Sequence, residues 1–279
     1  MLVICLIKIK NNFDLKATIT CGQIFRFIEE ENSFTIVIKD RVINLKEEGN
    51  YILIESNKEQ DLENIINDYF DLNRDYETIK QEIINKDIKI KDAIKFSKGL
   101  KMIHQEPFET LISYIISQNN RVPSIANALN LLSMNYGEKV LFNDKEYYLF
   151  PTLEDLSKLS IEDFRNCKVG FRDKYLYEII ENINNKNLEL DKIYNMSGEE
   201  ALKYLVNFKG IGMKVASCIL LFAYQKFDVY PVDTWVKKFM KEDYNIEGEK
   251  NIREFTNKTY GEYSGLAIQY MFNYKRNKK

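Results

Sequence analysis

The chain has 279 residues, 45% apolar and 29% charged, with 40 Lys and Arg against 42 Asp and Glu. That balance suits a globular protein of roughly two or three packed subdomains and excludes a disordered one. The single histidine, His104, excludes a histidine-rich metal site, and the four scattered cysteines (Cys5, Cys21, Cys167, Cys218), with no C-x-x-C pair, read as buried thiols rather than a metal cluster or disulfide framework.

The early apolar run from Leu2 to Ile7 stops at Lys8, too short for a signal peptide or a membrane span, and no other stretch is long enough. No membrane association and a cytoplasmic location are expected. The first 55 residues read as strands: Ser33 to Lys39, Arg41 to Leu45 and Tyr51 to Glu55 are short and β-branched, broken by Asp40 and Gly49-Asn50. An antiparallel sheet of about five strands is predicted, with Gly22 interrupting an earlier segment. From Glu59 the apolar spacing becomes helical, over Glu59 to Phe70, Tyr76 to Ile84 and Ile88 to Phe96. Ser97-Lys-Gly99 marks a boundary between a 1–99 sheet subdomain with flanking helices and a 100–279 helical domain. Beyond it, helical patterns run over Phe108 to Ser117, Ser124 to Tyr136, Ile161 to Asn166, Lys174 to Ile183, Glu199 to Asn207, Met213 to Tyr224, Thr234 to Met240 and Tyr263 to Phe272. The fold class is α+β: an N-terminal antiparallel sheet packed on a larger all-helical body.

Net charge is −2, but it is unevenly spread. Lys46 to Asp87 holds five basic and twelve acidic residues, whereas Lys209 to Lys241 holds six basic and two acidic. Local charge steers a polyanion more than the total does.

That basic segment contains the most informative pattern. One helix ends near Asn207, Phe208-Lys-Gly-Ile-Gly-Met213 makes a tight turn, and an apolar helix starts near Lys214, giving a helix-hairpin-helix over about 199–224. Gly210 and Gly212 leave backbone amides uncovered at the positive end of the second helix, a site suited to a DNA phosphate. Lys214, in that helix's first turn and expected to be partly desolvated, should give up its proton readily, as a nucleophile must. Asp233 follows Tyr230-Pro-Val232 and precedes a helix. It reads as an N-cap, as a carboxylate that stabilises a cationic sugar, or as both.

Hairpin, lysine, apolar helix and Pro-Val-Asp together resemble the helix-hairpin-helix DNA glycosylases, which include endonuclease III and 8-oxoguanine DNA glycosylase. The absence of a C-terminal cysteine cluster sets the chain apart from the iron–sulfur branch. Cys21-Gly-Gln-Ile-Phe-Arg-Phe27, Ser113-Tyr-Ile-Ile-Ser-Gln-Asn-Asn120 and Tyr260-Gly-Glu-Tyr-Ser-Gly-Leu-Ala267 with Phe272 are similar to signatures of the 8-oxoguanine branch, in its order. The resemblance implies excision of 8-oxoguanine from duplex DNA by base flipping, with Lys214 forming a Schiff base that permits β-elimination and Asp233 as catalytic aspartate. It implies that the Gly22 carbonyl accepts from the lesion's N7–H, that Cys218 and Phe272 stack on its two faces, and that Gln269 lies near its pairing edge. Asn119 would fill the gap left by the flipped nucleotide, Arg172 would wedge near the orphaned base, and Lys209 with the hairpin amides would bind phosphate. No metal or other cofactor is implied, and a monomer, nucleoid-associated in a prokaryote, is expected.

Each assignment has a plainer counterpart: a β-bulge for Gly22, core packing for Cys218 and Phe272, a helix end for Asn119. Departures from the family also stand out. Ser124 occupies the place of an arginine that reads the opposite cytosine, Ile268 that of a glutamine, Trp235 that of a histidine and Phe171 that of a tyrosine. Gln269 is turned about 100° from the Ile268 position on a helix. The rival readings are a related glycosylase for another damaged base, a non-catalytic DNA-binding hairpin protein, and Cys218 as a thiol nucleophile.

Overall fold

The computed structural model describes residues 5–10 and 12–278. The start of the Leu2-to-Ile7 run lies outside the described residues. Strand β1 (Cys5–Lys10) leads into helix α1 (Leu15–Thr20), then β2 (Phe27–Glu30), β3 (Ser33–Ile38), β4 (Arg41–Glu48) and β5 (Tyr51–Ser56). These strands form one antiparallel sheet in the order β1-β5-β4-β3-β2. Alternation fixes its faces: Ile52, Ile54 and Ser56 of β5 are buried while Tyr51, Leu53 and Glu55 are less so. Helix α2 (Leu62–Tyr69) covers the buried face through Leu62 and Ile66, with Ile103 completing that core.

The remaining helices build a second, larger core. They are α3 (Tyr76–Lys86), α4 (Lys91–Phe96), α5 (Pro107–Ile116), α6 (Val122–Tyr136), α7 (Leu153–Leu156), α8 (Ile161–Asn166), α9 (Asp173–Asn184), α10 (Gly198–Val206), α11 (Met213–Tyr224), α12 (Thr234–Tyr244), α13 (Glu249–Tyr260) and α14 (Ser264–Asn277). Three of them start on a serine or threonine capping box, at Thr152 with Asp155, Ser160 with Asp163 and Ser197 with Glu200. Helix α11 is apolar all round, and every residue from Val215 to Tyr224 is buried, so it runs through the middle of this core. Tyr76, Ile79, Ile83, Ile90 and Ile94 pack with the same core rather than with the sheet.

Three local expectations change. The segment before Gly22 is helical, not a strand: Asp14 accepts from the Ala17 amide at 2.7 Å and Leu15, Thr18 and Ile19 are buried at helical spacing. Gly22 therefore sits in the turn after a helix, not in a β-bulge. The helical body is not all-helical, because β6 (Lys139–Phe142) and β7 (Lys145–Tyr148) form a hairpin. Its two-residue turn, Asn143-Asp144, has both residues at positive φ (48° and 58°), the backbone that twists a tight hairpin correctly. Helix α13 carries few apolar residues and buries only Ile252, Thr256 and Tyr260, which hid its period in the sequence.

Candidate active site

Gly22 and the base of α11 are joined by a hydrogen-bonded frame. The next residue, Gln23, is fully buried. Its Nε2 donates to the Lys101 carbonyl at 2.8 Å and its Oε1 accepts from the Ile103 amide at 2.8 Å. The Gln23 carbonyl accepts from Tyr114 Oη on α5 and from Gln105 Nε2, at 3.0 and 2.9 Å. The Tyr114 ring in turn stacks on Phe222 of α11, with centroids 5.7 Å apart. Arg26, four residues beyond Gly22, pairs with Glu109 at 2.8 Å and donates to the Tyr148 carbonyl at 2.7 Å. The Gly-Gln-x-Phe-Arg pattern thus owes its glutamine and arginine to loop anchoring, which the sequence alone did not show.

The hairpin is held just as firmly. Gly210 has φ +88°, and a Cβ there would lie 2.8 Å from the Tyr175 ring, so both conformation and space call for glycine. Its carbonyl accepts from Gln118 Nε2 at 2.8 Å. Gly212 is the N-cap of α11; no side chain caps the helix and nothing lies within 4 Å of where a Cβ would project. The first amides of α11 are left open to a ligand. The expected desolvation of Lys214 is not found. Gly212, Met213 and Lys214 are all exposed, because burial of α11 begins only at Val215. Among the described residues Lys214 forms no hydrogen bond and no ion pair.

Asp233 stands at the head of α12. The chain before it is pinned by Tyr230, whose hydroxyl donates to Asn257 Oδ1 at 2.7 Å. Asp233 is the N-cap of α12 and accepts from the Val236 amide at 2.9 Å. Burial pushes its carboxyl above the usual range, against the Val236 amide and the Lys214 charge, which pull it down. Burial also pushes the Cys218 thiol up to about 12, leaving it protonated at neutral pH. A thiolate nucleophile at Cys218 has no support here.

Helix α14 supplies the third wall. Its Gly265 lets it pack close to the 227–229 segment, where a Cβ would lie 2.6 Å from Leu221 Cδ1 and 2.9 Å from the Phe227 carbonyl oxygen. Ile268, Phe272 and Arg276 then fall at four-residue spacing along one face.

These elements enclose a cavity of about 490 Å³ lined by Gly22, Asn119, Lys214, Cys218, Asp233, Trp235, Ile268, Gln269, Phe272 and Arg276, among others. Of the twelve residues singled out from the sequence, seven meet there: Gly22, Asn119, Lys214, Cys218, Asp233, Gln269 and Phe272. A side recess of about 250 Å³ shares Asn119, Lys214 and Cys218 and reaches Gly212. Gln269 lines the cavity beside Ile268 despite its rotation on the helix; its amide lies 3.5 Å from Cys21 Sγ.

The other predicted residues lie elsewhere. Ser124 is exposed on the first turn of α6 and does not line the cavity. Lys209 is exposed and paired with Glu178 at 3.0 Å. The wedge expected of Arg172 is not what the structure shows, because its guanidinium is turned inward. It donates to the carbonyls of Gln118 (Nε at 2.8 Å) and Val169 (Nη1 at 2.9 Å). Gln118 thereby links three pieces, the Asn119 turn, Arg172 and the hairpin at Gly210, while Phe171 beside Arg172 stays 58% exposed. Asn119 itself has φ +48° and is exposed at the cavity rim. Sequence reasoning missed Gln118 and Arg276; for Arg276 the four-residue spacing from Phe272 was a usable signal. His104 stays outside the cavity, 3.0 Å from Asp68 Oδ1.

Residues 5–111 match the family described as 8-oxoguanine DNA glycosylase, N-terminal domain, and residues 112–261 match the HhH-GPD superfamily of base excision DNA repair proteins. The chain is 29% identical over 229 residues to a probable N-glycosylase/DNA lyase of Methanothermobacter thermautotrophicus, spanning 74% of this chain and 72% of that protein. Its fold matches the 8-oxoguanine glycosylase/lyase of Clostridium acetobutylicum, solved with double-stranded DNA containing cytosine opposite 8-oxoguanine. The TM-score is 0.91 at 39% identity, over 95% of this chain and 92% of that one. A structure of MBOgg1 with a low-affinity DNA ligand gives a TM-score of 0.92 at 37% identity, over 98% and 95% of the two chains. Among the described residues no helix is long and apolar enough to cross a membrane. The chain belongs to the HhH-GPD superfamily of base excision DNA repair proteins, in the branch that carries the 8-oxoguanine DNA glycosylase N-terminal domain.

Proposed function

We propose that this protein excises 8-oxoguanine from duplex DNA and then opens the strand by β-elimination, acting as a monomer. The observation that carries this reading is the placement of Lys214. Among the described residues its amine is free of any ion pair, and it lines the same cavity as a partly buried carboxylate, Asp233, which its charge reaches. Lys214 Nζ attacks C1′, the C1′–N9 bond breaks, and its electron pair leaves with the base. The Asp233 carboxylate offsets the positive charge that develops on the sugar. Loss of the amine proton and opening of the sugar ring give the Schiff base. Removal of a C2′ proton then expels the 3′ phosphate.

Recognition requires the base to leave the helix. Within the cavity the Gly22 carbonyl accepts from N7–H, a donor that guanine lacks, and Cys218 and Phe272 cover the two faces. Gln269 lies along the pairing edge. Asn119, at the rim, takes the place of the extruded nucleotide. The exposed Phe171 supplies the wedge, and Arg172 holds Gln118 and with it the Asn119 turn. Phosphate docks on the open amides at Gly210 and Gly212. Lys209 joins them by giving up a surface ion pair of small worth.

Two consequences are measurable here. Gly22 has φ +93°, and a Cβ on it would lie 2.5 Å from Arg276 Nη1 and 3.6 Å from the Phe272 ring. Gly22→Ala should therefore slow single-turnover excision by roughly 10-fold or more, through strain of about 1–3 kcal/mol where the carbonyl must be aimed. A wild-type rate in that variant removes Gly22 from recognition. Ser124 cannot make the bidentate contact of an arginine, which is worth about 1–3 kcal/mol of discrimination between bases. Excision rates opposite C, A, G and T should consequently fall within about 10-fold of one another. Strong cytosine selectivity would contradict this.

The function itself is tested by incubating the protein with a duplex holding 8-oxoguanine opposite cytosine, plus borohydride, beside an undamaged duplex. A covalent adduct that needs the lesion is the expected result. Base release without an adduct would mean a glycosylase lacking lyase chemistry. Binding without either would reduce the hairpin to a docking module.

A further inference from the structure

Among the described residues Arg276 is the one arginine that lines this cavity, and no interaction already described uses it. It is partly buried, and among the described residues it forms no hydrogen bond and no ion pair. Its guanidinium lies 5.7 Å from the centroid of the Phe272 ring. Nη1 comes within 2.5 Å of where a Cβ on Gly22 would be, so the cation rests against the Gly22 backbone. Its charge also reaches Asp233 and Cys21. Its N–H donors meet no acceptor among the described residues and border the cavity, so they are available to a ligand. Proximity to Gly22 and Phe272 places those donors beside the two residues to which the proposed function assigns the base.

The chemistry of the base identifies what they meet. If the Gly22 carbonyl accepts from N7–H, the atoms flanking N7 on the same edge are the carbonyl oxygens O6 and O8, both acceptors. A planar, permanently charged donor beside an acceptor carbonyl complements the donor–acceptor alternation of that edge. We propose that Arg276 is a specificity-determining residue that donates to a carbonyl oxygen of the extruded oxidised purine, next to the N7–H read by Gly22. This rests on the 8-oxoguanine reading given above.

The test uses the full-length protein with Arg276→Met and Arg276→Lys. Single-turnover excision of 8-oxoguanine is measured for each. Affinity is measured for a duplex carrying a tetrahydrofuran abasic analogue, which has the backbone but no base. Arg276→Met should slow excision roughly 10- to 100-fold, the worth of a hydrogen bond from a charged group, with tetrahydrofuran affinity unchanged. Arg276→Lys, which keeps the charge without the planar fork, should recover part of the loss. An equal loss on the baseless duplex would overturn the proposal by making Arg276 a phosphate contact. So would an excision rate equal to wild type. A wild-type protein inert toward 8-oxoguanine overturns the functional reading itself, whereas an active wild type matched by Arg276→Met overturns the arginine assignment alone.

Discussion

Lys214→Gln should lower single-turnover excision of 8-oxoguanine by about 10⁴-fold and eliminate the borohydride-trapped adduct, while leaving duplex affinity within a few-fold of wild type. The size follows from what a nucleophile supplies: without it the reaction loses its covalent route, and only binding and electrostatic stabilisation of the sugar remain. Retained affinity follows from position. Lys214 is exposed and unpaired, the open amides of the hairpin do not depend on its side chain, and α11 is stabilised from Val215 onward by core burial. Glutamine also has nearly the helix propensity of lysine, so the fold is undisturbed. Adduct formation by Lys214→Gln would assign the Schiff base to another amine. A parallel loss of binding and excision would make Lys214 a phosphate contact.

Asp233→Asn separates stability from catalysis. Excision should fall about 10²- to 10³-fold, the usual range for removing a group that stabilises charge in a transition state. Stability should move the other way. Because burial raises the Asp233 carboxyl in the folded state, the folded protein holds that proton more tightly than the unfolded chain does. The stability this contributes is complete below the ordinary aspartate range near ~4 and is lost as pH rises through the raised folded value. At neutral pH the ionised carboxylate therefore burdens the fold, and asparagine relieves it while still accepting from the Val236 amide as an N-cap. Thermal melts should show Asp233→Asn more stable than wild type at pH 7 and indistinguishable from it below about pH 4. A variant less stable at neutral pH would mean that attraction to Lys214 outweighs the burial cost. The wild-type acid limb of activity should likewise sit above the ordinary aspartate range, since the carboxylate acts ionised.

Much of this molecule was readable without coordinates where the physics is local. Alternation in Tyr51–Ser56, helical spacing in Met213–Tyr224 and Gly210-Ile-Gly212 before Lys214 each report the conformation of the few residues that contain them. They placed the sheet and the hairpin, and they singled out Lys214 and Asp233, which line one cavity. Local signals failed where they were short or weak. Helix α1 was taken for a strand, β6 and β7 depend on a turn of two positive-φ residues, and α13 exposes most of its surface.

Contacts distant in the chain were beyond such reading. The basic window from Lys209 to Lys241 counted as a positive patch, yet Lys209 pairs with Glu178, Lys241 with Glu247 and Lys237 with Glu249. A window count cannot see acids that folding brings from outside it or just beyond its edge. Arg172 was expected to wedge near the orphaned base, but it is buried and donates to the Gln118 and Val169 carbonyls. The anchoring role of Gln118 became visible only once α5 met the hairpin at Gly210, and the place of Arg276, hinted at by its spacing from Phe272, once α14 and the Gly22 turn met at one cavity. Sequence by itself determined the strands and the hairpin and singled out Lys214 and Asp233 as candidates, because backbone conformation and residue chemistry are set within a few positions. The tertiary structure alone decided which charges stay unpaired and which side chains share the pocket, because those depend on burial and on neighbours far away in the chain.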